Sequence, residues 1–195
     1  MSLKNCIKEY ENILPLNTIS KLIRVLNKNY ENYQEAEIVG DTGKGIVDKN
    51  VRDVKKIYLV NSDWYKSLTL THWGNLLSFV LLKYANAYRK TFQYLPTNLM
   101  VRQMEALRYE KEGHYNMHID GGHETTNHRQ ISCILLLNND YEGGNLIFDI
   151  KEKNYLEIKN TPGKLIMWPS NFVFPHTITP VTEGIRHSIV SWLSI

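Results

Sequence analysis

His118-Ile119-Asp120 sets an imidazole and a carboxylate two residues apart. If the segment is extended, residues i and i+2 project from one face, so both donors can reach one ion. Two donors are too few for divalent iron in an open site. Such iron is held by two imidazoles and one carboxylate on one face of an octahedron, with the remaining positions free for reactants. His72, His114, His123, His128, His176 and His187 are available as the second imidazole. His176 differs in its setting: it ends the apolar run Phe172-Val173-Phe174-Pro175, where an unpaired imidazole needs a partner. Taken singly, each half of this set has a plainer reading. A His-x-Asp pair is more often on the surface, and a lone histidine in an apolar strand is more often a hydrogen-bonded core residue.

The residues downstream of His176 change the balance. Beyond the turn at Glu183-Gly184 comes Arg186, and two antiparallel strands joined by that turn would bring Arg186 and His176 to one end of a cavity. Along the strand, Arg186, Ser188, Val190 and Trp192 share one face, and Ile185, His187, Ile189 and Ser191 the other. An arginine facing inward is costly unless an anion pairs with it, and the sequence offers no evident fixed carboxylate. A bound dicarboxylate answers that need, gripped bidentately by the guanidinium with the Ser188 hydroxyl as a further donor.

These residues need strands to hold them, and the second half of the chain supplies strand-like runs between turn residues. Strands are expected near Met100–Tyr109, Gln130–Leu137, Leu146–Ile150, Tyr155–Ile158, Lys164–Trp168, Val173–Thr177 and Ile185–Leu193. The turns between them are Asn138-Asn139-Asp140, Glu142-Gly143-Gly144, Thr161-Pro162-Gly163 and Glu183-Gly184, with the Gly143-Gly144 pair supplying positive φ. This pattern predicts an α+β fold with a mainly β core, a sandwich or jelly-roll barrel. The first half reads as helical. Leu16, Ile19, Leu22, Ile23 and Leu26 recur at helical spacing, with Asn17 or Thr18 to cap the start. A second stripe from about Thr71 to Phe92 carries Trp73, Leu76, Leu77, Val80, Leu81, Tyr84 and Tyr88. The expectation is one domain over residues 1–195, in which 1–95 is mainly helical support plus a mobile loop and 99–195 is the barrel. The loop, around Gly40–Asn50, contains Gly43-Lys44-Gly45. It is not a phosphate loop, because no Ser or Thr follows the lysine.

Composition narrows the class. Of 195 residues, 43% are hydrophobic, enough for a packed core, and the formal net charge of +3 is spread along the chain rather than clustered. That demotes nucleic acid as a partner. The two cysteines, Cys6 and Cys133, lie too far apart in sequence for a CxxC site and cannot form a disulfide framework. The N-terminus lacks the apolar core of a signal peptide, and the runs Leu76–Leu82 and Ile134–Leu137 are far short of a membrane span. A cytoplasmic protein without a membrane partner is expected.

From Leu107 to Leu193 the chain resembles the prolyl 4-hydroxylase-like branch of the 2-oxoglutarate/Fe(II)-dependent oxygenases. The pieces run in order: Leu107-Arg108-Tyr109, Gly113-His114-Tyr115, His118-Ile119-Asp120, Arg129, Leu137-Asn138, Glu142 through Phe148, Pro162-Gly163-Lys164, His176, Pro180-Val181, Gly184, Arg186 and Trp192. The resemblance implies a double-stranded β-helix with N-terminal supporting helices. Iron would be held by His118, Asp120 and His176 as the catalytic centre. 2-Oxoglutarate would chelate the iron, its 5-carboxylate on Arg186 with Ser188 nearby and Tyr109 lining its pocket. O2 is the oxidant, with ascorbate as an accessory reductant. Arg129 and Trp192 match positions that approach the prime substrate in relatives, and Arg52 resembles another. One departure stands out. Leu136 occupies the position where several relatives carry a tyrosine that helps bind the 5-carboxylate, so Tyr109, Ser188 or another residue must compensate.

The resemblance points to hydroxylation of an unactivated C–H with release of succinate and CO2, first of a prolyl residue in a protein or peptide. Hydroxylation of a free amino acid or another small molecule is the alternative. A nucleic-acid dealkylase would carry a second arginine soon after Arg186, and the strand has none. A non-catalytic metal-binding relative is opposed by the complete ligand set.

Overall fold

A computed structural model describes residues 2–39, 43–60, 67–151 and 155–195. In chain order the elements are β1 (Lys8–Tyr10), α1 (Leu16–Lys28), β2 (Gln34–Glu35), β3 (Ile38–Val39), β4 (Gly45–Ile46), β5 (Arg52–Asp53), β6 (Lys55–Val60), α2 (Leu68–Thr91), β7 (Met100–Tyr109), β8 (His114–His118), β9 (Arg129–Leu136), β10 (Tyr141–Gly143), β11 (Leu146–Phe148), β12 (Leu156–Ile158), β13 (Leu165–Pro169), β14 (His176–Ile178), β15 (Val181–Gly184) and β16 (Arg186–Ser194). Two antiparallel sheets face each other. The larger runs β1-β13-β9-β16-β7-β6-β2 and the smaller β12-β11-β14-β8-β5, with ribbons β10-β15 and β3-β4 at the rims. This is the expected mainly β fold with two helices, a double-stranded β-helix.

The period-2 alternation of the central strands divides the apolar residues between two cores. On one face of the larger sheet Met104, Ala106, Ile131, Cys133, Leu135, Ile189 and Leu193 pack with Leu22, Leu26, Trp73, Leu77, Leu81 and Tyr88 of the helices. On the other face Leu107, Tyr109, Ile134, Leu136, Val190 and Trp192 meet Phe148, Trp168, Phe174 and Ile178 inside the barrel. β16 is buried along its whole length because both its faces are covered. The helices therefore buttress one sheet, as expected.

Three local readings are corrected. α1 starts two residues earlier than a cap at Asn17 allows, and three earlier than one at Thr18. Pro15 is the N-cap and gives no side-chain hydrogen bond, so Asn17 and Thr18 lie inside the first turn. α2 starts at Leu68, where the Ser67 hydroxyl accepts from the Leu70 N–H. The first half is not only helical, because β6 joins the larger sheet between β7 and β2. Its Ile57 and Leu59 face the helices while Lys56 is buried on the other side. α2 packs on β6 so closely that a Cβ on Gly74 would lie 2.4 Å from the Leu59 carbonyl oxygen. Of the loop expected around Gly40–Asn50, residues 40–42 lie outside the described residues, and the flanking stretches pair as β3 and β4. No helix among the described residues is long and apolar enough to cross a membrane.

Candidate active site

His118 ends β8 and His176 begins β14, and the two are register partners in the smaller sheet. Asp120 follows two residues after His118, and the three side chains offer ligand atoms all within 4.8 Å of one another. Asp120 Oδ1 is 3.7 Å from His118 Nε2, and its Oδ2 is 3.5 Å from His176 Nε2. Each imidazole is aimed from behind: His118 Nδ1 lies 2.8 Å from the Asn116 carbonyl and His176 Nδ1 3.1 Å from that of Phe174. A proton on each Nδ1 donated to those carbonyls leaves both Nε2 lone pairs facing Asp120, the orientation a metal ligand needs. Burial, followed by the neighbouring His176, pushes the His118 pKa down to about 3, so the imidazole is neutral and free to ligate. Burial pushes the Asp120 carboxyl up, but its polar surroundings, His176 and His118 and then Ser132 and Arg129, hold it below its ordinary value. Asp120 Oδ2 is sealed from solvent without a hydrogen-bond partner. Two imidazoles and a carboxylate with an unspent oxygen are a donor set suited to a divalent ion.

The triad opens on a cavity of about 570 Å³ inside the barrel. Tyr109, Leu107, Ile134, Ile178 and Val190 line one part of its wall, and Tyr58, Gln103, Arg129 and Trp192 line others. Arg186 is fully buried, with its guanidinium 4.9 Å from the centre of the Tyr109 ring, its register partner on β7. Its Nη1 donates to Ser188 Oγ at 2.8 Å, while Nε and Nη2 have no partner. Among the described residues no carboxylate pairs with Arg186. A buried guanidinium with two unspent N–H donors fits a carboxylate supplied by a bound molecule.

The expected substrate-side residues also line the cavity. Arg129 lies 3.7 Å over the Trp192 ring and donates from Nη1 to the Asp120 carbonyl at 3.0 Å. Arg52 is more committed than its sequence setting suggests. It donates to the Glu37 carbonyl at 2.8 Å, stands over the Tyr115 ring at 4.7 Å and is 3.5 Å from Glu105.

Sequence reasoning misses three residues of this site. Glu105, which takes a hydrogen bond from Gln103, and Lys56, 3.6 Å from Glu105, are buried ions on the cavity wall. Tyr115 stacks on His118 with ring centroids 3.5 Å apart. Glu105 shares the parity of Leu107 and Tyr109 along β7, but a lone carboxylate in a strand reads as facing water.

Residues 104–194 match the sequence profile of the 2OG-Fe(II) oxygenase superfamily. A PKHD-type hydroxylase from Synechococcus sp. (strain CC9311) is 36% identical over 86 residues, which are 43% of this chain and 38% of that protein. The structural counterpart is a Pseudomonas putida prolyl-4-hydroxylase, with a TM-score of 0.73 at 17% identity over 97% of this chain and 93% of the other. Over this region the chain is similar to the 2OG-Fe(II) oxygenase superfamily, and the relatives and structural neighbours it resembles are prolyl hydroxylase-like. A second structure of this superfamily type is a prolyl hydroxylase from Trichoplax adhaerens in complex with a hypoxia-inducible factor peptide fragment. Its TM-score is 0.74 at 16% identity, over 97% of this chain and 84% of that one. At such identities these structures establish the fold alone. Another PKHD-type hydroxylase, from Rippkaea orientalis, is 28% identical over 86% of this chain and 72% of its own length. The chain spans less than half the length of the first curated relatives it matches. The matched superfamily is one that uses Fe(II), 2-oxoglutarate and O2.

Proposed function

We propose that residues 1–195 act as one Fe(II)- and 2-oxoglutarate-dependent hydroxylase domain whose substrate is a prolyl residue in a protein or peptide. The observation that carries this reading is the juxtaposition, in one barrel, of the His118-Asp120-His176 triad with a buried, carboxylate-free Arg186. His118, Asp120 and His176 would hold the iron. Arg186, Ser188 and Tyr109 would hold the far carboxylate of 2-oxoglutarate. When bound, the iron would supply O2-dependent oxidation of 2-oxoglutarate to succinate and CO2, one oxygen atom of O2 entering succinate and the other the hydroxylated C–H. The protein's share is placement. The triad presents one face of donors and leaves the opposite face to reactants, and the apolar walls Leu107, Ile134, Ile178 and Val190 keep water from the reacting atoms. Arg129, Trp192 and Arg52 would approach the substrate. The peptide in the Trichoplax adhaerens neighbour supports a chain segment as ligand. Ascorbate would serve only to keep the iron reduced.

One observation favours a second reading, hydroxylation of a free amino acid. The cavity wall carries buried groups of both signs, Arg52 and Lys56 beside Glu105, and a zwitterion can be read by such a pair. The two readings separate in one assay. Purified chain with Fe(II), 2-oxoglutarate and proline-containing peptides should release succinate and yield a product heavier by about 16 Da, one oxygen atom. Turnover of free proline with none of any peptide would decide for the small molecule.

A further inference from the structure

The end of the barrel at Arg186 holds more hydrogen-bond donors than acceptors. Arg186 Nε and Nη2 are sealed from solvent and unspent. Ser188 Oγ accepts from Arg186 Nη1, which leaves its own proton free. The fourth donor is Tyr141, at the start of β10, whose hydroxyl is sealed from solvent, faces Arg186 through its oxygen and has no acceptor for its own proton. Tyr141 stands opposite Gly184 in the β10-β15 ribbon, and Gly144 sits between its ring and Arg186. A Cβ on Gly144 would come within 2.9 Å of Arg186 Cδ and 3.2 Å of Tyr141 Cε2, so the glycine lets ring and guanidinium stem close on each other. The Arg186 charge, and a contact in which Arg186 donates to the phenol oxygen, partly offset the upward push of burial on its pKa. The phenol is protonated, and a guanidinium cannot accept its proton. Buried donors without an acceptor carry a desolvation cost that an anion removes.

Leu136 explains why this matters. It pairs with Ser188 across β9 and β16 and is fully buried in the barrel interior, so the position where relatives place a tyrosine hydroxyl is apolar here.

We propose that Tyr141 completes the distal-carboxylate site of this chain, its phenol O–H donating to the carboxylate that Arg186 grips. The proposal rests on the 2-oxoglutarate reading of the site and names the residue that replaces the missing hydroxyl at Leu136. It makes the donor set Arg186, Ser188 and Tyr141, with the phenol entering from the β10 rim rather than from β9.

The test is calorimetric titration of the Mn(II)-loaded chain, which binds without turnover, with 2-oxoglutarate and with 2-oxobutyrate, a 2-oxo acid that lacks the second carboxylate. Tyr141→Phe should weaken 2-oxoglutarate binding roughly ten- to hundred-fold, the range for losing a hydrogen bond to a charged acceptor. It should leave Mn(II) and 2-oxobutyrate binding as in the wild type. Its ligand-free melting temperature should be equal or higher, because the variant removes a buried hydroxyl that has no acceptor. Unchanged 2-oxoglutarate affinity overturns the proposal, and so does an equal loss for both 2-oxo acids or a fall in ligand-free stability. A wild-type chain that binds Mn(II) but no 2-oxoglutarate overturns the cosubstrate reading itself, whatever the variant does.

Discussion

Replacing Arg186 by methionine should make the ligand-free protein more stable and the liganded one less so. The side chain is fully buried, donates one hydrogen bond to Ser188 and has no carboxylate partner among the described residues. A charge in that position costs several kcal/mol of desolvation. Its stack on Tyr109 returns about 1–2 kcal/mol and the Ser188 bond about 1 kcal/mol. Methionine keeps the length, fills the volume beside Gly144 and has no charge. The net gain is then about 1–3 kcal/mol, a rise in melting temperature of roughly 3–10 °C for a chain of this size. In the Mn(II)-loaded wild type, 2-oxoglutarate at about a hundred times its Kd should add about 2.7 kcal/mol by linkage. Removal of the cation should weaken that ligand by about 3–5 kcal/mol, which abolishes the shift at the same concentration. Thermal unfolding of both proteins, with and without 2-oxoglutarate, reads all four numbers. A methionine variant that melts lower without ligand and still rises as the wild type does with it would refute the assignment of Arg186 to a carboxylate.

Alanine at His118, Asp120 or His176 should abolish succinate release and weaken Mn(II) binding by at least tenfold in calorimetry; turnover retained in all three would remove the triad from the chemistry. Gly74→Ala places a methyl 2.4 Å from the Leu59 carbonyl, so α2 must shift off β6; a loss of about 2–3 kcal/mol in urea unfolding is expected, and a neutral result would mean the helix yields freely. Burial, then the Arg108 charge, depress the His187 pKa to about 4 against an ordinary value of 6.5, so the unfolded chain takes up the proton first as pH falls. The contribution is intact above pH 6.5 and is lost progressively toward pH 4, by up to about 3 kcal/mol. Denaturation from pH 7 to 4 should show this slope, and His187→Gln should flatten it; an unaltered slope would place the proton elsewhere.

The barrel is legible where strands alternate cleanly. β16 can be assigned face by face because an arginine, a serine and a tryptophan share one parity, and an inward arginine demands an anion. β7 is legible as a strand, but Glu105 within it is not legible as a cavity residue, because a lone carboxylate in a strand reads as facing water. β6 is hidden for the same reason: its paired lysines look like loop, yet Lys56 points into the barrel and is stabilised there by Glu105, Glu37 and the Tyr58 hydroxyl. Tyr141 escapes a reading by sequence because it stands in turn residues beside Gly143-Gly144, and its role depends on which side chain lies across the ribbon. Positions governed by local periodicity can be read from sequence. Those governed by partners distant in the chain cannot.

The metal triad illustrates the second kind. In a regular strand Tyr115 and His118, three apart, would project from opposite faces, yet their rings stack nearly parallel, 17° from coplanar. The register accounts for this: His176 pairs with His118 but Ile178 pairs with Tyr115, so β8 carries one residue more than β14 between the two pairs. Such a bulge changes the parity of the strand on one side of it, which brings Tyr115 and His118 to the same face. Tyr115 can then lie between the Arg52 guanidinium and the His118 ring, and that packing fixes the imidazole whose Nδ1 is held by Asn116. The His-x-Asp spacing by itself decides only that His118 and Asp120 can face together. It is the irregularity before them, together with the run-in to His176, that turns both toward one point.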